Sequence, residues 1–378
     1  AGMWVGTFHS VGARLVRQVA DRVGRTPAFT IYDSDDLEAL IKRVMTALGH
    51  STKTVAPRAV AAAISSAKNA LVSPAEYAQT ARDAMSQVVA STFARLEDDL
   101  VRANAASFDD LLTLPVRVVR EHPEVAEQWS RRFRYILVDE YQDTNRAQYE
   151  FVRAIGRHGN VFVVGDDDQS IYGWRGADIR NILDFERDFP TARVVRLEEN
   201  YRSRPEILAL ANAVIAENAD RRGKVLRATR PAGVPVTLVT AADDRDEADF
   251  VVEELVARRA RDVGRTFGDM AVLYRTNAQS RPLEEALRTR RIPYRLVGQV
   301  RFYERREIKD IIAWLRLIAN PADDEALRRA IAAPRRGIGE ASLDLLASVA
   351  REAGVSMLAA ARDGAALPVR GNTRTLLE

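Results

Sequence analysis

The chain has 378 residues, of which 47% are hydrophobic, and a net charge of +3. That length gives room for two or three domains with substantial cores, and a sequence pI near 9.2 suits a polyanion partner without requiring one. Cysteine is absent and the four histidines are scattered. Disulfides, thiolate metal sites and a Cys nucleophile are therefore excluded, a His-based zinc site is a poor fit, and the expected setting is a reducing, cytoplasmic one. No apolar run approaches transmembrane length, so no membrane partner is expected.

In chain order, Met3 to Thr7 reads as a strand and Phe8 to Val19 as a helix with Val11, Leu15, Val16 and Val19 on one face. Thr7, Phe8, His9 and Ser10 stand at the junction. Hydroxyls and amides at a helix start serve either as phosphate contacts or as an ordinary cap. Residues 20–132 read as almost wholly helical, with no strand pattern interrupting them. Asp33, Ser34 and Asp35 announce a helix whose apolar face is Leu37, Leu40, Ile41, Val44, Met45 and Leu48. Further helices are expected over Pro57–Asn69, Pro74–Leu100 and Phe108–Arg120. A helical block between strand-rich stretches suggests an inserted domain.

From Tyr135 the texture changes to alternating strand and helix, the rhythm of parallel α/β layers. The expected strands are 135–138, 161–164, 193–197, 235–239, 270–274 and 294–297. The expected helices are 146–156, 177–187, 205–218, 245–260 and 281–290. Beyond residue 300 the chain reads as helical again, over Glu304–Ala319, Glu325–Ala333 and Ala341–Ala353. The last two flank Gly337-Ile338-Gly339, either a helix-hairpin-helix turn whose amides cradle a nucleic-acid phosphate or a plain C-cap glycine and turn.

Three stretches carry chemistry. In Phe133 to Asn145 (FRYILVDEYQDTN) an apolar run ends abruptly in Asp139 and Glu140. Ligands of open α/β sheets bind outside the carboxyl ends of strands. Paired acids there suit metal-assisted phosphoryl transfer, one holding Mg²⁺ and the other orienting or deprotonating water. An acidic turn after a core strand is the plainer alternative. Val163 to Ala177 (VVGDDDQSIYGWRGA) ends a strand in three acids and Gln169, a neutral amide able to sense a phosphate or place water. Tyr172, Trp174 and Arg175 follow, and rings with an interleaved arginine suit single-stranded nucleic acid. Their glycine neighbours favour exposure over burial. In Leu197 to Ser203 (LEENYRS), Arg202 can act as an arginine finger and Tyr201 can stack on a base, or both can belong to a surface turn.

The order DEYQDTN, GDDDQSIYGWRGA, LEENYRS is similar to motifs II, III and IV of superfamily 1 DNA helicases of the UvrD/Rep/PcrA type. GTFHS resembles the DNA-contacting segment ahead of their helical insert. Tyr274 to Arg281, Phe302 to Asp310 and Arg336 to Gly339 resemble parts of their later domains. The resemblance covers essentially the whole chain. It implies RecA-like parallel-sheet motor domains of the P-loop NTPase type with inserted all-helical subdomains. The implied boundaries are 1–10 (first motor domain), 11–118 (helical insert), 119–196 (first motor domain, C-terminal part), 197–298 (second motor domain) and 299–378 (second insert).

It also implies roles. Asp139 would coordinate Mg²⁺ and Glu140 would be the catalytic base. Gln169 would couple the γ-phosphate of ATP to DNA, Tyr201 would stack on adenine, and Arg202 would reach the γ-phosphate. Thr7, His9, Tyr172, Trp174 and Arg175 would grip single-stranded DNA, and Gly337 and Gly339 would meet the duplex. The implied activity is ATP-dependent 3′ to 5′ unwinding in DNA repair or replication, acting at single-strand/duplex junctions with mismatch- and excision-repair proteins.

The chain departs from the pattern in three ways. No G-x-x-x-x-G-K-[ST] loop occurs in it, and the family's late motifs are not found. Gly298-Gln299 stands where the family usually has two glycines. The opening lacks an initiator Met and the end stops in helix-like sequence, so a piece of a longer protein is expected. Two other readings stay open: an ATPase-inactive DNA-binding fragment, and the helicase part of a helicase-nuclease.

Overall fold

The structure is a computed structural model that describes residues 2–218, 223–297, 305–334 and 337–363. Gly298-Gln299, Phe302 to Glu304 and Arg335-Arg336 lie outside the described residues, as does the tail after residue 363. The chain divides into two compact units. One is built from Ala1–Arg196 with the segment from Arg306 onward, the other from Leu197–Asn218 and Lys224–Arg305.

The larger unit begins with α1 (Phe8–Gln18). A two-residue strand β1 (Thr30–Ile31) leads into α2 (Ser34–Ala47), and then come α3 (Pro57–Asn69), α4 (Pro74–Thr80) and α5 (Ala84–Arg102). These helices start where caps are strong. The Asp33 carboxylate accepts from the Asp35 and Asp36 amides, and Asp36 answers from its side chain; Ser73 and Glu76 do the same for α4. Pro57, with no amide hydrogen to satisfy, opens α3. Ile41, Met45, Val60, Ile64, Val89, Phe93, Leu96 and Leu100 form one apolar core of α2, α3 and α5.

The strand β2 (Ala105–Ala106) pairs in parallel with β1, with Thr30 opposite Ala105 and Ile31 opposite Ala106. Next come α6 (Asp110–Glu121), α7 (Pro123–Arg132), β3 (Ile136–Val138), α8 (Arg146–Ile155), β4 (Val161–Val163), α9 (Arg180–Leu183) and α10 (Phe185–Asp188). A second core joins α1, α6, α7 and α8 around Leu15, Val16, Leu114, Trp129 and Phe151. β3 and β4 pair in parallel with Ile136 opposite Val161 and Val138 opposite Val163.

The smaller unit holds β5 (Glu199–Asn200), α11 (Pro205–Ile215), β6 (Arg227–Ala228), α12 (Asp244–Arg261) and α13 (Ser280–Thr289). β5 and β6 are parallel. Ala248, Val252, Ala286 and Ile292 make its core between α12 and α13. The chain then returns to the larger unit as α14 (Arg306–Ala319), α15 (Asp324–Ala332), α16 (Glu340–Glu352) and α17 (Met357–Arg362). That return is anchored by polar contacts: the Tyr32 hydroxyl donates to Asp323 at 3.0 Å, and Arg316 spans Asp36 at 2.6 Å and Asp323 at 2.9 Å.

The architecture is helix-rich with small parallel sheets. Several expected elements are corrected. Met3–Thr7 is not a strand; Met3 and Val5 are exposed. Residues 20–132 are interrupted by β1 and β2. The expected Pro74–Leu100 helix breaks before Asp83, because that carboxylate caps a new helix with Ser86. The expected 177–187 helix is the two short turns α9 and α10. The runs 193–197, 235–239, 270–274 and 294–297 form no ladder among the described residues. A strand exists only through its neighbour's hydrogen bonds, and Leu238 and Leu273 in these runs are almost fully exposed.

Candidate functional site

Parallel pairing places the carboxyl ends of β3 and β4 side by side, so the two acidic stretches emerge at one edge. The Val164 amide donates to Val138 O at 2.8 Å and the Tyr141 amide to Val164 O at 2.9 Å, extending the match beyond the strands. Asp139 and Glu140 are both exposed there. The Glu140 amide donates to Asp139 Oδ1 at 3.0 Å. Glu140 holds φ at 51° and ψ at 44°, a left-handed conformation that costs a non-glycine residue about 1–3 kcal/mol.

Beneath them lies Gln142, 1% exposed. Its Nε2 donates to Glu140 Oε2 at 2.9 Å, and its Oε1 accepts from the Asp166 amide at 2.9 Å. Its own carbonyl accepts from the Ser170 hydroxyl at 3.3 Å. One buried side chain thus joins both acidic stretches. Gly165 makes the approach possible, because a Cβ there would stand 2.6 Å from Gln142 Oε1 and 2.6 Å from Ile182 Cδ1. Gln169 Nε2 donates to Asp166 Oδ2 at 2.7 Å. Burial, then the neighbouring Glu140 charge, pushes the Asp143 carboxyl above its ordinary range.

Among the described residues no group of three or more His, Asp or Glu is set to hold a metal. An ion at Asp139 would therefore rest on one or two carboxylates and take its other ligands from water and phosphate. That is the mode Mg²⁺ prefers, so the exposed pair fits it.

The aromatic stretch is a surface feature, as its glycine neighbours suggested. Trp174 is 75% exposed and Tyr172 38%. Their ring centroids lie 6.4 Å apart, and the Arg175 guanidinium sits 4.5 Å from the Trp174 centroid and 5.3 Å from that of Tyr172. Such cation–π contacts pre-set the rings as a platform.

At the start of α1, Thr7 is the cap, its hydroxyl accepting from the Ser10 amide at 3.3 Å. His9 stacks on Phe108 with centroids 3.9 Å apart and planes 22° from parallel. Burial pushes its pKa down to about 4, so the ring is neutral near pH 7. Phe108 was not singled out from the sequence. The available signal was a large ring directly before two acids, Asp109 and Asp110. Gln142 was passed over too, since nothing in a linear motif reveals that its amide serves two loops.

In the smaller unit the Asn200 side chain accepts from the Arg202 and Ser203 amides at 3.0 and 2.7 Å. The exposed Tyr201 donates its hydroxyl to Glu199 at 2.6 Å, a bond that raises its pKa. Gly337 holds φ at 77°, the left-handed region glycine favours. Gly339 starts α16 with open space where a Cβ would be. The described contacts join Asp139, Glu140, Gln142, Asp166 and Gln169 in one cluster, and Tyr172, Trp174 and Arg175 in another. Tyr201 and Arg202 belong to the other unit.

The family description "UvrD/REP helicase N-terminal domain" matches residues 1–190, and "UvrD-like helicase C-terminal domain" matches residues 195–363. ATP-dependent DNA helicase PcrA of Staphylococcus aureus strain Mu50 is 44% identical over 356 residues, covering 94% of this chain and 48% of the relative. PcrA of Staphylococcus epidermidis strain ATCC 35984 is 44% identical over 356 residues, covering 94% of this chain and 49% of the relative. The chain spans about half the length of the curated relatives it matches. The expected likeness of Met3–His9 and Ser170–Ala177 to DNA helicase II of this family is not what these relatives carry, since both are named PcrA.

Proposed function

The chain belongs to the UvrD/Rep helicase family, and from that premise we propose that it is the interior of an ATP-dependent DNA helicase that moves 3′ to 5′ on single strands. The observation that carries the reading is the shared edge of β3 and β4, where Gln142 holds Glu140 and the Asp166–Gln169 loop together. In this reading Asp139 holds Mg²⁺, which lowers the charge on the phosphates when bound. Glu140 accepts the proton of the attacking water, and its bond from Gln142 fixes the oxygen's aim. Gln169 reports the γ-phosphate to the Tyr172–Arg175 platform just downstream. Tyr201 stacks on adenine and Arg202 supplies positive charge to the γ-phosphate.

The residues assigned to single-stranded DNA are Thr7, His9, Tyr172, Trp174 and Arg175, with Phe108 added by its stacking on His9. Gly337 and Gly339 are assigned to duplex DNA through their backbone amides. Residues 1–10 and 119–196 then belong to the first RecA-like motor domain, 11–118 to its helical insert, 197–298 to the second motor domain and 299–378 to the second insert. The setting is cytoplasmic, at single-strand/duplex junctions in repair or replication, with mismatch- and excision-repair proteins as partners.

No phosphate loop of the G-x-x-x-x-G-K-[ST] form is in the sequence, so this chain alone should bind DNA and turn over almost no ATP. The test is fluorescence anisotropy with labelled oligo-dT and a matched duplex, beside an ATPase assay. Trp174→Ala should weaken single-strand binding by about 1–3 kcal/mol, the worth of one stacked base, and duplex binding much less. Equal losses on both ligands would refute the Trp174 assignment, and DNA-stimulated turnover abolished by Glu140→Gln would refute the expectation that this chain alone turns over almost no ATP.

A further inference from the structure

At the C-terminal end of α3, Asn69 touches three segments that are far apart in sequence. Its Nδ2 donates to Asp109 Oδ1 at 3.0 Å, the residue after the exposed Phe108 ring. Its Oδ1 accepts from Asn145 Nδ2 at 2.6 Å, at the end of the DEYQDTN stretch. Its Cβ lies 3.7 Å from where a side chain on Gly176 would begin, at the close of the Tyr172–Arg175 platform. A further bond from Nδ2 to Ser65 O, at 2.9 Å, fixes the amide's orientation. Asn145 is 7% exposed and also caps α8, accepting from the Gln148 amide at 2.9 Å. Behind it, Thr144 accepts from the Asp178 amide at 3.0 Å and from Asn181 Nδ2 at 2.9 Å.

A plain helix end needs none of this. α3 is already closed by its own backbone, the Ala70 amide donating to Ser66 O. The side chain of Asn69 instead spends its donor and its acceptor on different segments. We infer that Asn69 is a positioning residue that fixes the spacing between the Glu140–Asn145 loop and two aromatic single-strand contacts, Phe108 and the Tyr172–Trp174 platform.

This rests on the functional reading above, and the experiment separates the two. Labelled oligo-dT affinity is measured for the chain and for Asn69→Ala, Asn145→Asp and the double variant, together with thermal melting and amide hydrogen exchange. Asn145→Asp keeps an oxygen to cap α8 but removes the amide that reaches Asn69, so it probes the same tie should Asn69→Ala fold poorly. Each single variant should lose about three- to tenfold in affinity, the scale of one hydrogen bond. The double variant should lose no more than the worse single one, because both cut one connection. Exchange should rise together in residues 107–110, 141–145 and 173–177, while α5 stays protected. Single variants that bind like the parent, or losses that simply add, overturn the inference and leave the helicase reading standing. A parent chain that does not bind oligo-dT takes both down.

Discussion

The acids at β3 and β4 and the Tyr201–Arg202 turn at β5 are held in different ways. The first are cross-braced: Gln142 is buried, serves two loops, and needs Gly165 to leave room for it. In the second, the side-chain bonds run to near neighbours. Asn200 bonds the two amides just after it, and Tyr201 bonds Glu199 two residues back. Longer contacts reach only its backbone: Arg230 donates to the Arg202 carbonyl at 2.8 Å, and the Thr229 amide to Asn200 O at 3.1 Å as β5 pairs with β6. The contrast teaches that a change in the braced edge spreads to several segments, whereas a change in the turn stays in the turn.

The largest loss in the larger unit should come from α3. Lys68, next to Asn69 on α3, is 5% exposed and bonds Asp110 at 2.6 Å and Glu97 at 2.5 Å. Lys68→Met leaves Asp110 buried without its cation, which should cost about 3–5 kcal/mol in urea unfolding. A loss below about 1 kcal/mol would mean the acids find protons or water instead. Gln142→Leu comes next. It strands the Asp166 amide, and the expected loss is about 1–3 kcal/mol; an unchanged unfolding midpoint would show that the two loops hold without the brace.

A smaller, pH-dependent effect is expected at His9. Its folded pKa near 4 lies below its ordinary 6.5, so the unfolded chain binds the proton more readily between those values. Stability should therefore be fully present above pH 6.5 and drain away as pH falls toward 4. His9→Phe should flatten that slope, and a parallel slope in the variant would assign it to other groups. Least of all, Tyr201→Phe and Arg202→Ala should leave stability within about 0.5 kcal/mol of the parent, as exposed positions generally do. A larger loss from either would erase the contrast between the two regions.

Much of the larger unit was legible in the sequence because its signals are local. Asp33 and Pro57 mark helix starts by their own chemistry, and α3 runs over Pro57–Asn69 as expected. The abrupt change from Ile136-Leu137-Val138 to Asp139 marks where β3 ends. What failed was non-local. β1 and β2 are two residues each and pair across more than seventy positions, with no alternation to betray them. The runs at 235–239 and 270–274 carry the apolar pattern of strands but find no ladder partner among the described residues. Asn69 and Gln142 were silent for the same reason, since an amide's two ends declare their partners only in three dimensions.

The left-handed backbone at Glu140 bears on how a silent control should be chosen. Gln copies the shape of Glu but inherits its unfavourable torsions. Asn tolerates that region of φ and ψ far better and is one methylene shorter. Set side by side, the two replacements separate relief of conformational tension from loss of the carboxylate, which neither does by itself.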